Sequence, residues 1–257
     1  MTGNKTNVAI TERDLQVFRE ASVLRVFRRD DAARFANFNS VTRTNARLLQ
    51  LVRAGLLNRF FVATERGGRK CLYTLTAKGA LAAQVAFTGV QRKKDSVLIG
   101  DQFVEHQLHI NLIYLILKYP PTSNSNATFL YWRTFRERIS SAAPIIPDAY
   151  FEISFNNQPL CCFLEVDLGG ESSKIWKTKI ESYLRLAVSG EYERRFNRPQ
   201  FRVLIVANSG KRIRSLRTAV SKHTDKIFRL STFEDINRDG VWAPVWFRPT
   251  DDQKQSL

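Results

Sequence analysis

The sequence predicts an α/β protein, α+β overall, in which helices cover a mixed sheet. After residue 101, apolar segments follow one another in the order α-β-β-β-α-β-α-β, which is typical of such a sheet. Before it, three helical segments, a β-hairpin and another helix form a separate, strongly basic part. We therefore expect one domain over residues 1–85, a linker over 86–100 and a second domain over 101–257.

The charge of the chain indicates a polyanionic partner. The net charge is +16, and residues 1–95 hold 18 Lys and Arg against 7 Asp and Glu, while the rest of the chain holds 22 against 17. Nucleic acid is the simplest partner for such a surface, and the excess of Arg over Lys in the first third suits contacts to phosphate and guanine. Double-stranded DNA is the partner we expect. No apolar run approaches the ~18 residues of a membrane span, and no signal-peptide core begins the chain. A cytoplasmic protein without a membrane partner is expected.

Helices fill the first part of the chain. Thr11 is placed to cap a first helix, and a short second helix covers Asp30–Ala36. Ser40 caps a third helix, VTRTNARLLQLVRAGLL, whose apolar residues recur at helical spacing and form one face. The opposite face offers the polar residues Thr42, Arg43, Asn45, Arg47 and Gln50.

A hairpin follows the third helix. Two β-rich runs flank Gly67-Gly68, with Arg66, Arg69 and Lys70 at the tip, and LTAKGALAA then begins another helix. From Thr11 to about Val85 the chain resembles a winged helix-turn-helix domain. That resemblance implies that the third helix enters the major groove and that the hairpin tip contacts phosphate or the minor groove. The base-facing residues would be Thr42, Arg43, Thr44 and Arg47, with Gln50 on the same face. A protein-interaction module with a merely solvated polar face is the alternative.

The second domain begins with an apolar helix that Pro120-Pro121 ends. Its further predicted elements are the strands TFLYWRTFRER, PDAYFEISF and PLCCFLEVD, one helix KIWKTKIESYLRLAVSGEYERRF, the strand RPQFRVLIVAN, the helix KRIRSLRTAVSKH, the strand KIFRLSTF and a last apolar segment VWAPVWF.

Three carboxylates flank two neighbouring strands of this domain. Asp148 follows Pro147 at the start of one strand, and Glu165 and Asp167 end the next. They are expected to converge at one edge of the sheet, where oxygen ligands suit a hard cation such as Mg²⁺, or Mn²⁺ as its substitute. Asp148, Glu165 and Asp167 are the candidate metal ligands.

The order of EHQLHIN, PDAYFEI, FLEVDLGG and KIESY resembles a PD-(D/E)XK restriction-endonuclease-like domain. With the winged helix before it, nearly the whole chain resembles the replication-relaxation family of plasmid and mobile-element proteins. This resemblance implies a role in DNA replication, relaxation or transfer. Contacts with other replication, transfer or transposition proteins, and a homodimer, are further expectations.

The resemblance assigns roles residue by residue. Asp148 matches the Asp of the nuclease motif and Glu165 its second acid, but Asp167 stands where the motif has Lys. Lys179 on the following helix is the candidate replacement, and Tyr183 four residues later shares its helical face. The pair resembles the Gln-x-x-x-Tyr element of related nucleases, with Lys in place of Gln. Weaker candidates are Lys174 and Lys177 for the lysine and Glu105 for a further acid.

Three functions remain open from the sequence. The leading hypothesis is a DNA-binding protein whose nuclease-like domain adds a surface around Asp148, Glu165, Asp167 and Lys179. In the second, the chain is a Mg²⁺-dependent endonuclease in which Lys179 positions water at the acids. In the third, a transcriptional repressor keeps a degenerate nuclease fold for dimerisation or partner contact. An ion-pair network without metal is the alternative interpretation of the acids themselves.

Other motifs point to less specific chemistry. His106 and His109 share a helix face, but the sequence has no matching cluster that would complete a zinc site. The basic tract KRIRSLR at 211–217 predicts either a phosphate-contacting or a solvated helix face. Adjacent Cys161 and Cys162 are expected to be buried small hydrophobic residues rather than disulfide partners.

Overall fold

The computed structural model describes residues 8–63, 67–88, 101–120, 126–141 and 143–257, and the chain divides into two compact units. The first unit ends at Leu115 and the second begins at Ile116. This division falls inside a helix that the sequence assigned wholly to the second domain. Most of the expected linker, 86–100, lies outside the described residues. The α/β class with a mixed sheet is confirmed.

The first unit consists of helices and a two-stranded sheet. Its elements are α1 (Glu12–Leu24), α2 (Arg29–Phe35), α3 (Val41–Arg53), β1 (Leu57–Ala63), β2 (Arg69–Leu75), α4 (Ala77–Ala82) and the part of α5 (Asp101–Lys118) up to Leu115. Hydroxyls of Thr11, Ser40 and Thr76 accept backbone N–H bonds and cap α1, α3 and α4. The predicted succession of three helices, a hairpin and a helix is therefore present.

The hairpin is antiparallel and runs from the pair Leu57–Leu75 to the pair Ala63–Arg69. Gly67 and Gly68 have φ of 74° and 106°, a region that favours glycine, which explains the Gly-Gly signal. Residues 64–66, including the predicted tip residue Arg66, lie outside the described residues. Buried apolar side chains join the hairpin to α5, among them Val26, Val62, Leu72, Val104 and Leu108.

The second unit is built on a seven-stranded sheet in the order β3-β4-β5-β6-β7-β8-β9. Its strands are β3 (Ala127–Arg133), β4 (Ala149–Phe155), β5 (Gln158–Asp167), β6 (Arg202–Ala207), β7 (Phe228–Thr232), β8 (Trp246–Phe247) and β9 (Lys254–Gln255). Strand β5 pairs antiparallel with β4 and parallel with β6, so the sheet is mixed. Its helices are α6 (Ser173–Val188), α7 (Glu191–Phe196), α8 (Gly210–Ser221) and α9 (Phe233–Asp239).

One face of this sheet carries a large aromatic core. Side chains of β5, β6 and β7 meet those of α6 and α8 there, including the fully buried Phe163, Trp176, Tyr183 and Phe228. Alternation along the strands places every second residue on this face. The same rule decides which carboxylates of β5 face α6.

Two helical regions differ from the sequence prediction. The single helix expected over KIWKTKIESYLRLAVSGEYERRF is wrong, because Gly190 takes φ 68° and separates α6 from α7. Helix α9 was not predicted, since it begins directly after β7 without an intervening loop. No helix among the described residues is both long enough and apolar enough to cross a membrane.

The break at Gly190 leads to a stability prediction. Gly190→Ala should lower the free energy of unfolding by about 1 kcal/mol, because an L side chain is strained in the left-handed region. Gly170→Ala is the matched control: Gly170 has no positive φ, and a methyl group there would meet nothing within 4 Å. Urea denaturation of both variants measures the difference, and equal losses would contradict the prediction.

Candidate functional site

The predicted acids meet at one edge of the second sheet. The Asp148 N–H donates to the Leu164 carbonyl at 3.2 Å, extending the β4–β5 ladder. Asp148 Oδ2 in turn accepts the Val166 N–H at 2.7 Å, which fixes the carboxylate beside the end of β5. Ala149 pairs with Leu164 in the antiparallel register, so Asp148 and Glu165 are adjacent to that pair on the two strands. Burial raises the pKa of Glu165, and the charge of Asp148 adds to this effect. The strand pairing thus brings the two acids together.

Glu165 is buried between two residues of α6. Its side chain is 1% exposed, and its two oxygens accept from Lys179 Nζ at 2.8 Å and Tyr183 Oη at 2.6 Å. Lys179 and Tyr183 are one helical turn apart, so both reach the same carboxylate. Lys179 Nζ also contacts both oxygens of Glu171, at 2.7 and 2.8 Å. The lysine therefore bridges two carboxylates.

Burial determines the protonation behaviour of this group. It raises the pKa of Glu165 to about 7, although the Lys179 ammonium and the Tyr183 hydroxyl act in the opposite direction. Burial alone would lower the pKa of Lys179, but the charges of Glu165 and Glu171 raise it above its ordinary value. Burial, reinforced by the charge of Glu165, also raises the pKa of Tyr183. Lys179 is consequently a fixed cation and Tyr183 a neutral hydrogen-bond donor.

Asp167 has its own cation. Arg212 of α8 donates from Nε to Oδ1 at 2.9 Å and from Nη2 to Oδ2 at 2.7 Å. Trp176 Nε1–H donates to Asp167 Oδ2 at 2.5 Å, and the Gly169 N–H donates to Asp167 Oδ1 at 2.6 Å. Burial would raise the pKa of Asp167, but the hydrogen bonds from Arg212 and Trp176 hold it below its ordinary value. Asp167 is thus a buried, fully bonded carboxylate.

The predicted Mg²⁺ ligands do not fit a divalent ion in this arrangement. Among the described residues, no three His, Cys, Asp or Glu side chains form a group that could hold a metal ion. Lys179 lies against Glu165, and Arg212 occupies both oxygens of Asp167. A divalent ion beside Glu165 would meet the Lys179 ammonium, and the two positive charges would repel each other. Protein cations balance Glu165 and Asp167 instead.

Helix α3 presents an exposed polar face in the first unit. We define the exposed face of α3 as Thr42, Arg43, Asn45, Gln50 and Arg53, all of which are exposed. Arg43, Gln50 and Arg53 follow one another at seven and three residues, so they form a stripe along the helix. The first turn of α3 contains no acidic residue, which leaves its positive end available to an anion.

Two predicted base-facing residues are directed elsewhere. Thr44 is 0% exposed and its hydroxyl donates to the Ser40 carbonyl at 2.8 Å, so its expected contact with a base is wrong in this structure. Arg47 donates from Nε to Asp14 Oδ1 at 2.9 Å and from Nη2 to Asp14 Oδ2 at 2.5 Å. Asp14 is 0% exposed, and Arg47 Nη2 also reaches the Ala9 carbonyl at 2.7 Å. Arg47 therefore joins α3 to α1.

The two described basic residues near the hairpin tip also differ: one is exposed and the other is in an ion pair. Arg69 is exposed at the start of β2, next to the glycines. Lys70 Nζ pairs with Glu105 of α5 at 2.7 Å, and both side chains are about one-third exposed, at 31% and 35%. Glu105, predicted as a further acid of the nuclease-like site, is thus an ion-pair partner within the first unit.

Sequence reasoning missed three residues that organise these sites: Asp14, Arg212 and Glu171. Arg212 belongs to the tract 211–217, which was interpreted as a phosphate-contacting or solvated face. Ile213, Leu216 and Val220 define the buried side of α8, and Arg212 precedes the first of them. That position at the border of the buried face was the available signal. Arg217 in the same tract pairs with Asp252 at 2.8 Å, whereas Lys211 and Arg214 are exposed.

The histidines and cysteines named above lie inside helices and strands. His109 Nδ1 lies 2.7 Å from the Glu105 carbonyl, one turn earlier in α5. All three cysteines are free, and Cys161 and Cys162 are buried, as predicted.

Comparison with models of protein families identifies a match. The model of a family described as Replication-relaxation matches residues 31–198, which include α3, the hairpin and the carboxylates at the sheet edge. No match was found among curated proteins or among solved structures.

Proposed function

Because this chain belongs to the replication-relaxation family, we propose that it acts in replication or relaxation by binding duplex DNA through the exposed face of α3. The observation that carries the proposal is that the arginines of α3 have different environments. Arg47 is held by a buried carboxylate, while Arg43 and Arg53 are exposed on one stripe. Neither has an ion-pair partner among the described residues.

The physical setting of this face favours an anionic partner. Residues 1–95 carry most of the net charge of +16. Arg43 lies in the first turn of α3, where the helix dipole also attracts phosphate. Guanidinium groups contact both phosphates and guanine edges, so the same stripe serves affinity and base recognition. Arg69 on the hairpin provides a further exposed cation in this unit.

Substitution of Arg43 tests the proposal. Arg43→Ala should weaken duplex binding about fivefold or more, since one direct arginine contact contributes ~1–3 kcal/mol. Fluorescence anisotropy with a labelled duplex at fixed salt measures the dissociation constant. The control is Arg194→Ala, which removes an exposed arginine of α7 and changes the net charge equally. Equal affinities of the two variants would refute binding through α3.

In the second unit we propose that the acids act as a charge-balanced support rather than as a metal centre. Lys179 and Arg212 neutralise Glu165 and Asp167. Lys179 also pairs with the Glu171 carboxylate, and Arg212 donates to the Glu171 backbone carbonyl. This network ties β5 to α6 and α8. It supports the interpretation of the acids as an ion-pair network in a nuclease-like domain.

Metal-dependent cleavage is the second candidate function. The observation in its favour is the proximity of Asp148 to Glu165, as the nuclease motif requires. Cleavage of this kind would require Lys179 to leave Glu165, since the ammonium now lies at that oxygen. Mg²⁺-dependent nicking of plasmid DNA distinguishes the two functions.

A further inference from the structure

Three arginines lie on the sheet face opposite the aromatic core of the second unit. Arg248 directly follows Phe247, whose antiparallel partner Leu230 directly follows Arg229, so Arg248 continues the register beside Arg229. Arg202 of β6 and Arg229 of β7 alternate with the core residues Val203 and Phe228, so they lie on the other face. Arg229 pairs with Leu204, two residues beyond Arg202, which makes the two arginines diagonal neighbours on parallel strands. The carboxylates that pair with Lys179 and Arg212, Glu165 and Asp167, lie on the face of the aromatic core instead.

Arg229 is a buried cation held in a defined position. It is 6% exposed, and its Nη1 donates to the Lys226 carbonyl at 2.7 Å and to the Phe228 carbonyl at 2.8 Å. Its Nε and Nη2 have no acceptor within the described part of the chain, yet neither is sealed from solvent. Two nitrogens of the guanidinium group are thus available as donors to a group that enters from solvent.

No negative charge balances this group among the described residues. Arg202 and Arg248 have no ion pair there either. Burial and the charges of Arg202 and Arg248 lower the pKa of Arg229 to about 10. Cys162, opposite Arg202 in the sheet, stays a neutral thiol because burial raises its pKa. A buried charge is costly unless an opposite charge pairs with it, so this cluster lacks its counter-charge.

We propose that Arg229, Arg202 and Arg248 form a binding site for a phosphate oxyanion. Guanidinium groups match the geometry of phosphate oxygens and bind them through charge-assisted hydrogen bonds. Exposed Arg248 and Lys226 stand at the solvent side, and buried Arg229 supplies the inner donors. Free phosphate and the backbone phosphate of a nucleic acid share this chemistry. The site is separate from the exposed face of α3 and does not depend on its function.

Thermal unfolding of the full chain tests the site. A ligand that binds only the folded state raises the melting temperature, and the shift grows with the logarithm of its affinity at saturating concentration. Inorganic phosphate should raise it above the value in chloride of equal ionic strength. Arg229→Met should weaken the apparent affinity for phosphate about tenfold or more, as expected for lost hydrogen bonds between charged groups. Arg194→Met, in α7, is the control and should retain the wild-type response.

Two further measurements complete the test. Arg248→Met alters only the exposed rim, so it gives an answer even if Arg229→Met fails to fold, and it should also weaken the phosphate response. A short single-stranded oligonucleotide that competes with phosphate in the wild type identifies nucleic acid as the source, and no competition identifies free phosphate. A phosphate response that is absent in the wild type, or equal in Arg248→Met and Arg194→Met, would overturn the proposal.

Discussion

Replacing Arg47 with alanine is expected to lower the free energy of unfolding by about 3 kcal/mol, because it leaves a buried carboxylate without its cation. Asp14 is 0% exposed and accepts two hydrogen bonds from Arg47 across 33 positions of sequence. Arg43→Ala, four residues earlier on the same helix, removes an exposed arginine and should change stability by less than about 0.5 kcal/mol. Chemical denaturation of the two variants measures the contrast.

The Arg47–Asp14 pair also predicts an acid transition. Burial would raise the pKa of Asp14, but the hydrogen bonds and charge of Arg47 and the bonds from Thr11 lower it below its ordinary value. A lowered pKa gives stability that is present above the unfolded pKa, about 3.9, and is lost as pH falls through the folded value. Asp14→Asn should therefore reduce the loss of stability below pH ~4. Equal stability of Arg47→Ala and Arg43→Ala, or an unchanged acid transition in Asp14→Asn, would contradict this role.

Replacing Lys179 with methionine should have the second large effect, a loss of about 3 kcal/mol. The substitution removes the cation that lies between Glu165 and Glu171. Methionine keeps much of the side-chain volume, so the loss reports charge rather than a cavity. The double variant Lys179→Met with Glu165→Gln should recover part of the stability, since a neutral amide no longer needs the ammonium.

The pH dependence of the Lys179 variant follows from Glu165. Its pKa is raised from 4.5 to about 7. Between these pH values the carboxyl group is protonated in the folded state and ionised in the unfolded state. Glu165 therefore lowers the free energy of unfolding as pH rises through this range. Without Lys179 the ionised carboxylate is costlier, and the variant should lose more stability than the wild type between pH 5 and 8. A variant that loses no more than the wild type would show that Lys179 does not stabilise ionised Glu165.

Local sequence patterns predicted part of the candidate site. The i, i+4 spacing places Lys179 and Tyr183 on one helical face, and the resemblance to the nuclease motif pointed to Lys179 as the partner of Glu165, which both residues contact. Strand pairing also explains why Asp148 meets the end of β5, since the two strands are neighbours along the chain.

Contacts between distant segments could not be predicted from such patterns. Arg47 meets Asp14 from 33 positions away, and Arg212 meets Asp167 from 45 positions away. Helical periodicity places Arg47 at the border of the polar face, but it does not show which side a long side chain will take. Helix α9 was missed although Thr232 caps it through the Asp235 N–H, a signal that the strand pattern before it obscured.

Electrophoresis of supercoiled plasmid incubated with the protein, run both with and without deproteinisation, tests the central account most directly. We predict retarded plasmid that Arg43→Ala weakens, and the same supercoiled fraction after deproteinisation in Mg²⁺ as in EDTA. The contradicting result would be plasmid that is not retarded, or a nicked or linear product that forms only with Mg²⁺ or Mn²⁺ and disappears in Asp148→Ala.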